Sequence, residues 1–154
     1  MVKKLEKKAF LNVVKNAPLV SIDLIVRNAQ QQVLLGYRKN EPARDSWFVP
    51  GGRILKDESI SAAFKRIVQF ELNIDMEYSP RYFFGFFEHL YQTNLFEDKN
   101  FGTHYIVLAH TFKADSPILL QEDAQHERLR WFDVDEIQKS HEVHTYTKNY
   151  FYDL

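Results

Sequence analysis

Two carboxylates, a pair of glycines, a histidine and two arginines stand out in this chain by residue type and spacing. Gly51 and Gly52 follow Trp47-Phe48-Val49-Pro50, and adjacent glycines bring backbone into close reach of another group. Glu71 lies near the end of residues 59–72, a run without Gly or Pro, so its carboxylate stands at the C-terminal end of a helix. One carboxylate can help hold one Mg²⁺, an ion that favours six oxygens and keeps several waters, but it cannot neutralise a cluster of such ions. His126 sits in the acidic segment 121–128, and an imidazole of unperturbed pKa about 6.5 can take a proton from water near neutral pH. Asp23 interrupts the apolar stretch 19–26, where a carboxylate must be paired or hydrogen-bonded if it is buried. Arg38 and Arg53 flank the glycine pair, and a guanidinium matches diphosphate oxygens in bidentate geometry. Each residue also has a plain structural reading: a solvated Glu71, a surface His126, ordinary surface arginines.

The elements that must position these residues follow from periodicity. Leu5, Phe10, Val13 and Val14 recur near helical spacing with lysines between them, predicting an amphipathic helix over 5–14 that Pro18 ends. Residues 19–26 and 33–37 are β-prone runs, and the polar segment 41–46 is a loop leading to the glycines. In 59–72, Ile60, Ala63, Phe64, Ile67 and Phe70 fall near one face, the pattern of a helix packed on a sheet. Residues 82–91, 105–112 and 129–132 predict three further strands, and 133–139 begins like a capped helix. Strands alternating with a few helices, without repeats or linkers, give an α/β sandwich around a mixed β-sheet.

Composition narrows the function classes. The 154 residues suit a single domain, 1–154. Twenty basic and twenty-one acidic residues leave a net charge of −1, so no overall field recommends a nucleic-acid or membrane partner. With no cysteine, disulfides, thiolate catalysis and Cys-based zinc sites are excluded, and oxygen and imidazole remain as metal ligands. The basic start 1–8 is followed by a short apolar run broken by Asn12, which is no signal-peptide core, so a cytoplasmic location is expected. Aromatics at 15% can serve a core, a dimer interface or base stacking.

The segment from Gly52 to Ile74 resembles the Nudix box, GX5EX7REUXEEXGU with U a bulky aliphatic residue. Gly52, Glu58, Arg66, Val68, Glu71 and Ile74 fill their positions; Ile67 and Phe70 replace two glutamates, and Asn73 replaces the final glycine. Asn tolerates the left-handed conformation of a helix C-cap. The reduced box, with Pro18-Leu-Val-Ser-Ile-Asp23, Leu34-Leu-Gly-Tyr-Arg38, Trp47-Phe-Val-Pro-Gly-Gly-Arg53, Ala62-Ala-Phe64, Thr103-His-Tyr105 and Gln125-His126, is similar to the GDP-mannose mannosyl hydrolase branch of the family. That resemblance implies a Nudix-type α/β/α sandwich and hydrolysis of a GDP-sugar, GDP-mannose or GDP-glucose, by water attack at the anomeric carbon with inversion. It implies one Mg²⁺, with Mn²⁺ as a substitute, held by the Gly51 carbonyl, Glu71 and the Gln125 side-chain oxygen. It further implies Arg38 and Arg53 on the leaving diphosphate, His126 as general base, Asp23, His89 and Tyr105 as polar substrate contacts, and a homodimer. Glu58 and Arg66 fit an ion pair bracing the loop against the helix. The competing expectations are a pyrophosphohydrolase cutting between phosphates, and a Nudix-like nucleotide-binding module without catalysis.

Overall fold

The computed structural model describes residue 2, residues 4–115, residue 118 and residues 126–152, and of residues 126 and 127 the backbone alone. Its central strand, β1 (Leu19–Arg27), carries the β-branched run that the sequence marks as a strand. The longest partner of β1 is the parallel strand β6 (Thr103–Lys113), in register from Leu19↔Tyr105 to Arg27↔Lys113. Along its other edge β1 meets β2 (Val33–Arg38) at Arg27↔Val33, and a short strand β4 (Gly51–Arg53) at Ser21↔Arg53 through Asp23↔Gly51, both antiparallel. Strand β2 pairs in turn with β3 (Trp47–Phe48) and β7 (His126–Phe132), and β5 (Phe83–Tyr91) closes the far side against β6. The seven-stranded sheet is therefore mixed, in the order β3-β2-β1-β6-β5 with β4 on β1 and β7 on β2.

Strand alternation divides the core into two layers. Ile22, Leu24 and Val26 face helix α2 (Ile60–Leu72), which buries Ala63, Phe64, Ile67, Val68 and Leu72 against them. Ile25 of β1 lies on the opposite face, with Val33, Leu35 and Phe132, under Ile137 of α3 (Val134–Lys139) and under Tyr150 and Phe151, which follow α4 (Thr145–Asn149). Helices on both faces make the α/β/α sandwich expected. The first helix, α1 (Lys7–Asn16), adds a third, smaller cluster in which Phe10 and Val14 pack on Leu19, beside Phe96, Phe101 and Tyr105. Among the described residues no helix is long and apolar enough to cross a membrane.

Several elements differ from the sequence-based expectation. Helix α1 starts and ends about half a turn later than 5–14, leaving Leu5 exposed before it. Ile60 and Phe70 do not join the packed face of α2; both are exposed, and Val68 and Leu72 pack in their place. The apolar arc of a 3.6-residue helix is centred on residues 64, 67, 68 and 71; Phe70 lies at its margin, whereas Ile60 falls on the arc but is the first residue of the helix. Strands β3 and β4 and helix α4 were not anticipated, because runs this short carry no readable period.

Helix α2 is closed at both ends by its own sequence. Ser59 Oγ accepts from the Ala62 N–H at 3.2 Å, and Asn73 takes the left-handed conformation at φ 54°, ψ 36°. Asn73→Gly should leave stability unchanged or slightly raised, whereas Asn73→Val should cost about 1–2 kcal/mol because a β-branched residue resists positive φ. Urea midpoints of the two variants give the comparison; equal midpoints would remove the cap from this account.

Candidate active site

The antiparallel pairing of β4 with β1 sets the floor of the site. A Cβ built on Gly51 would stand 2.6 Å from the Ile22 carbonyl oxygen and 2.7 Å from Asp23 Oδ1, so no side chain fits there. The group that Gly51 approaches is thus the backbone and carboxylate of β1 itself. On the other side, a Cβ on Gly52 would sit 3.1 Å from the Ile67 side chain, which brings α2 directly against β4. Glu71 lies one turn beyond Ile67 on that same helix face and is buried.

The connection between β4 and α2 is held by the ion pair expected from the sequence. Arg66 donates from Nε to Glu58 Oε1 at 2.7 Å and from Nη2 to Glu58 Oε2 at 2.8 Å, a bidentate arrangement. Glu58 Oε2 also accepts from the Leu55 N–H at 2.9 Å, and Arg66 Nη2 reaches the Arg53 carbonyl at 2.8 Å. The Arg66 guanidinium holds the Glu58 carboxyl below its usual range. Loop, strand β4 and helix α2 are so tied into one unit.

Above this floor opens a cleft of about 690 Å³. Asp23, Arg38, Gly51, Arg53, His89 and Tyr105, drawn from β1, β2, β4, β5 and β6, all line it. Six of the residues expected at the site from sequence, scattered over more than eighty positions, are therefore brought to one cavity. Arg38 enters where the β2–β7 ladder shifts register between Tyr37 and Arg38, a bulge that re-aims a side chain. Among the described residues its Nε is buried without a hydrogen-bond partner. The Arg53 guanidinium lies 3.6 Å above the Phe10 ring, which fixes its plane at the cleft wall. Phe10, Leu95 and Phe96 make that end of the cleft apolar and aromatic.

Burial dominates the electrostatics. It pushes the Asp23 carboxyl up to about 6, against the hydrogen bond from Tyr150 and the charge of Arg38, which pull the other way. It pushes His89 down to about 4, with His144 adding to the effect, so His89 is neutral at physiological pH. The Tyr105 hydroxyl is raised by burial while Arg53 and Arg38 oppose the rise, and Arg53 is itself lowered by burial. Two cationic guanidinium groups and neutral His and Tyr side chains around one buried carboxylate suit an anionic ligand that also carries hydroxyl groups.

Three expected residues stand elsewhere or beyond description. Glu71 does not line the cleft; its helix face runs behind β4. The backbone of His126 pairs opposite Arg38 in the β2–β7 ladder, with its side chain outside the described residues, as is the whole of Gln125. The sequence reading missed Tyr150, whose hydroxyl donates to Asp23 Oδ2 at 2.5 Å across 127 positions. It also missed Tyr146, stacked on His89 with centroids 4.2 Å apart, and Tyr91 in the cleft wall. The available signal was the Tyr146–Tyr150 spacing of one helical turn at the end of the chain.

Comparison with known proteins agrees with this architecture. Residues 17–154 match the family described as NUDIX domain. The "Low-salt glycan biosynthesis protein Agl8" of Haloferax volcanii is 41% identical over 121 residues, which span 79% of this chain and 74% of that protein. The crystal structure of the MutT protein from Methanosarcina mazei Go1 superposes with a TM-score of 0.69 at 20% identity, covering 88% of this chain and 92% of that one. The NUDIX domain of Shewanella oneidensis NrtR complexed with ADP ribose gives 0.60 at 17% identity, covering 95% and 96%. At such identities the two structures speak for the fold. The chain belongs to the Nudix family, in its hydrolase class. Enzymes of this family generally use a divalent cation such as Mg²⁺ and bind nucleotide-like substrates.

The donors on these elements fit such a cation. A buried carboxylate on α2 and the backbone oxygens of β4, packed together through Ile67 and Gly52, are hard oxygen ligands of the kind Mg²⁺ takes. Among the described residues no three His, Asp or Glu side chains gather as ligands.

Asp23 and His89 make opposite contributions to acid stability. Asp23, raised from 3.8 to about 6, binds a proton in the folded state first, so its contribution is present at low pH and lost as pH rises through about 6. His89, lowered from 6.5 to about 4, contributes above its unfolded value and loses that contribution as pH falls toward about 4. Each is worth roughly 2–3 kcal/mol across its window, and the two largely offset. Relative to wild type in chelator, Asp23→Asn should lose stability on acidification from about 6 to about 4, and His89→Phe should gain it. Parallel urea-midpoint curves for all three proteins would contradict this assignment.

Proposed function

We propose that this enzyme hydrolyses a GDP-sugar, GDP-mannose first and GDP-glucose as a related donor, to GDP and free sugar by water attack at the anomeric carbon with inversion. The observation that carries the reading is the reduced acidic face of α2. Of the three positions on α2 that hold glutamate in the full box, Ile67 is buried in the core and Phe70 is 61% exposed at the cleft, and Glu71 alone offers a carboxylate. Attack on phosphorus by a cluster of cations needs the acidic residues that are replaced here. Cleavage at carbon needs a stabilised departing anion and a water deprotonated on the opposite side of the sugar.

The chain's own residues supply those needs. Arg38 and Arg53 bind the diphosphate in bidentate fashion and take up charge as it leaves. Asp23 accepts a hydrogen bond from a sugar hydroxyl, and Tyr105 and His89 complete the polar wall at that end. His126 takes the proton from the attacking water; the pairing of its backbone with Arg38 supports a place beside the diphosphate. Mg²⁺, when held by the Gly51 carbonyl, Glu71 and the Gln125 side-chain oxygen, supplies charge neutralisation to the diphosphate leaving group. Relationship to a protein named for glycan biosynthesis supports a sugar-bearing substrate. A cytoplasmic homodimer belongs to the same reading, and Phe86, 73% exposed on the edge strand β5, and exposed Leu90 offer a surface for it.

Hydrolysis of GDP-mannose with Mg²⁺ in ¹⁸O-labelled water tests the reaction. Label in the free sugar with unlabelled GDP is the expected product pattern; GMP with mannose 1-phosphate would replace this reading with cleavage between the phosphates. His126→Gln should lower turnover by about 10²–10⁴-fold at unchanged Mg²⁺ dependence. Glu71→Gln should raise the Mg²⁺ concentration for half-maximal rate by roughly tenfold or more. Equal, mild effects from both would overturn the roles given to these residues.

A further inference from the structure

Tyr150 is 2% exposed, so its hydroxyl acts from beneath the cleft. That hydroxyl lies between two groups that do line the cleft, at 2.5 Å from Asp23 Oδ2, to which it donates, and 3.4 Å from His89 Nε2. The arrangement divides the two oxygens of Asp23 between distinct tasks. Oδ2 is engaged by Tyr150, while Oδ1 is turned toward the space over Gly51, 2.7 Å from where a Cβ would stand there. The two oxygens of an ionised carboxylate are equivalent and its torsion is broad, so without the Tyr150 bond nothing in the backbone fixes the plane in which the carboxylate meets the ligand.

The support behind Tyr150 is extensive for a residue that touches no ligand. Its ring packs edge-on against Phe87 at 4.7 Å and 88°. Helix α4, which delivers it, is fastened to β3 by the Trp47 N–H to the Glu142 carbonyl at 2.8 Å and by the His144 N–H to the Trp47 carbonyl at 3.1 Å. At β5 the Tyr146 hydroxyl both donates to the Leu90 carbonyl at 2.8 Å and accepts from the Leu90 N–H at 2.9 Å, and its ring lies flat on His89, 3° from parallel. The segment 142–150 thus spans the sheet from β3 to β5 and ends with one hydroxyl under the sugar-binding end of the cleft.

We infer that Tyr150 is a positioning residue that fixes the Asp23 carboxylate and thereby sets which hydroxyl configuration of the sugar the enzyme accepts. The inference rests on the proposed function, in which Asp23 meets the sugar, and assigns its sugar specificity to a residue outside the cleft. Tyr150 acts through Asp23, so its influence must vanish when Asp23 can no longer respond.

The test is a double-mutant cycle of Tyr150→Phe and Asp23→Asn, with kcat/KM for GDP-mannose and GDP-glucose, inhibition by GDP and thermal midpoint measured for each protein. Tyr150→Phe should lower kcat/KM for the preferred donor by roughly tenfold to a hundredfold, the worth of a lost hydrogen bond to a charged group, and bring the two donors closer together. GDP inhibition should be unchanged, since the diphosphate contacts are intact, and Tyr150→Phe should have no further effect on specificity in the Asp23→Asn protein. An unchanged donor ratio, equal losses for both donors with weaker GDP binding, or full additivity of the two substitutions would each overturn the inference. Wild-type products of GMP and sugar phosphate would overturn the carbon-attack reading alone, since the donor ratio still reports on Tyr150. Absence of turnover on both GDP-sugars would remove the reading and the inference together.

Discussion

A carboxylate buried on the central strand is the constraint around which this structure is organised. Asp23 lies on β1 between Ile22 and Leu24, both fully buried, and is only 8% exposed itself. Leaving such a group without partners is costly, and ordinary β-sheet geometry offers it none, because the ladder bonds of β1 are backbone bonds. The partners come from distant parts of the chain: Tyr150 by hydrogen bond and Arg38 by charge. The opposite strand then needs a residue without a side chain, and Gly51 stands there in register. The positions of β4, the C-terminal segment and the bulged end of β2 are all consequences of accommodating one ionisable group.

The second organising interaction lies at the other end of β4. Glu58 and Arg66, eight residues apart, form a bidentate pair that also bonds the backbone at Leu55 and Arg53. Strand β4 is thereby clamped between β1 and α2, with Ile67 filling the space that the missing side chain of Gly52 leaves. In the full box position 67 carries a glutamate; here an isoleucine makes it part of the core, and the acidic content of the helix drops with it. Packing and chemistry at this helix are one choice, since a residue that fills the gap over Gly52 cannot also hold a cation.

The aromatic content of the chain acquires distinct functions once folded. Phe64 is surrounded by Tyr78, Tyr82, Phe112 and His110 in the core beneath α2, a purely structural cluster. Tyr91, Tyr105 and Tyr150 instead crowd the buried carboxylate, where their apolar rings exclude water and their hydroxyls face polar groups. Phe10 and Phe96 meet at 5.7 Å over the open end of the same cleft. One residue class thus builds a dry wall, a polar wall and an apolar mouth, distinguished by the element that carries each residue and the face it occupies.

Local pattern was enough for the parts of this protein that local physics controls. The strands at 19–26, 33–37, 82–91, 105–112 and 129–132, helix α2 with its Ser59 and Asn73 ends, and the Glu58–Arg66 pair were readable because period, capping chemistry and charge spacing act over a few residues. Residues as far apart as Asp23, Arg38, Gly51, Arg53, His89 and Tyr105 were recognisable as a set only through family resemblance, and the fold brings them to one cleft. Tertiary structure alone decided that Ile60 and Phe70 are exposed, that β3 and β4 exist as strands, and that Tyr150 meets Asp23. Two- and three-residue strands have no period of their own and are formed by the neighbours they pair with. A hydrogen bond across 127 positions is set by the sheet order that places β1 and β5 on either side of β6, and that order is a property of the whole chain.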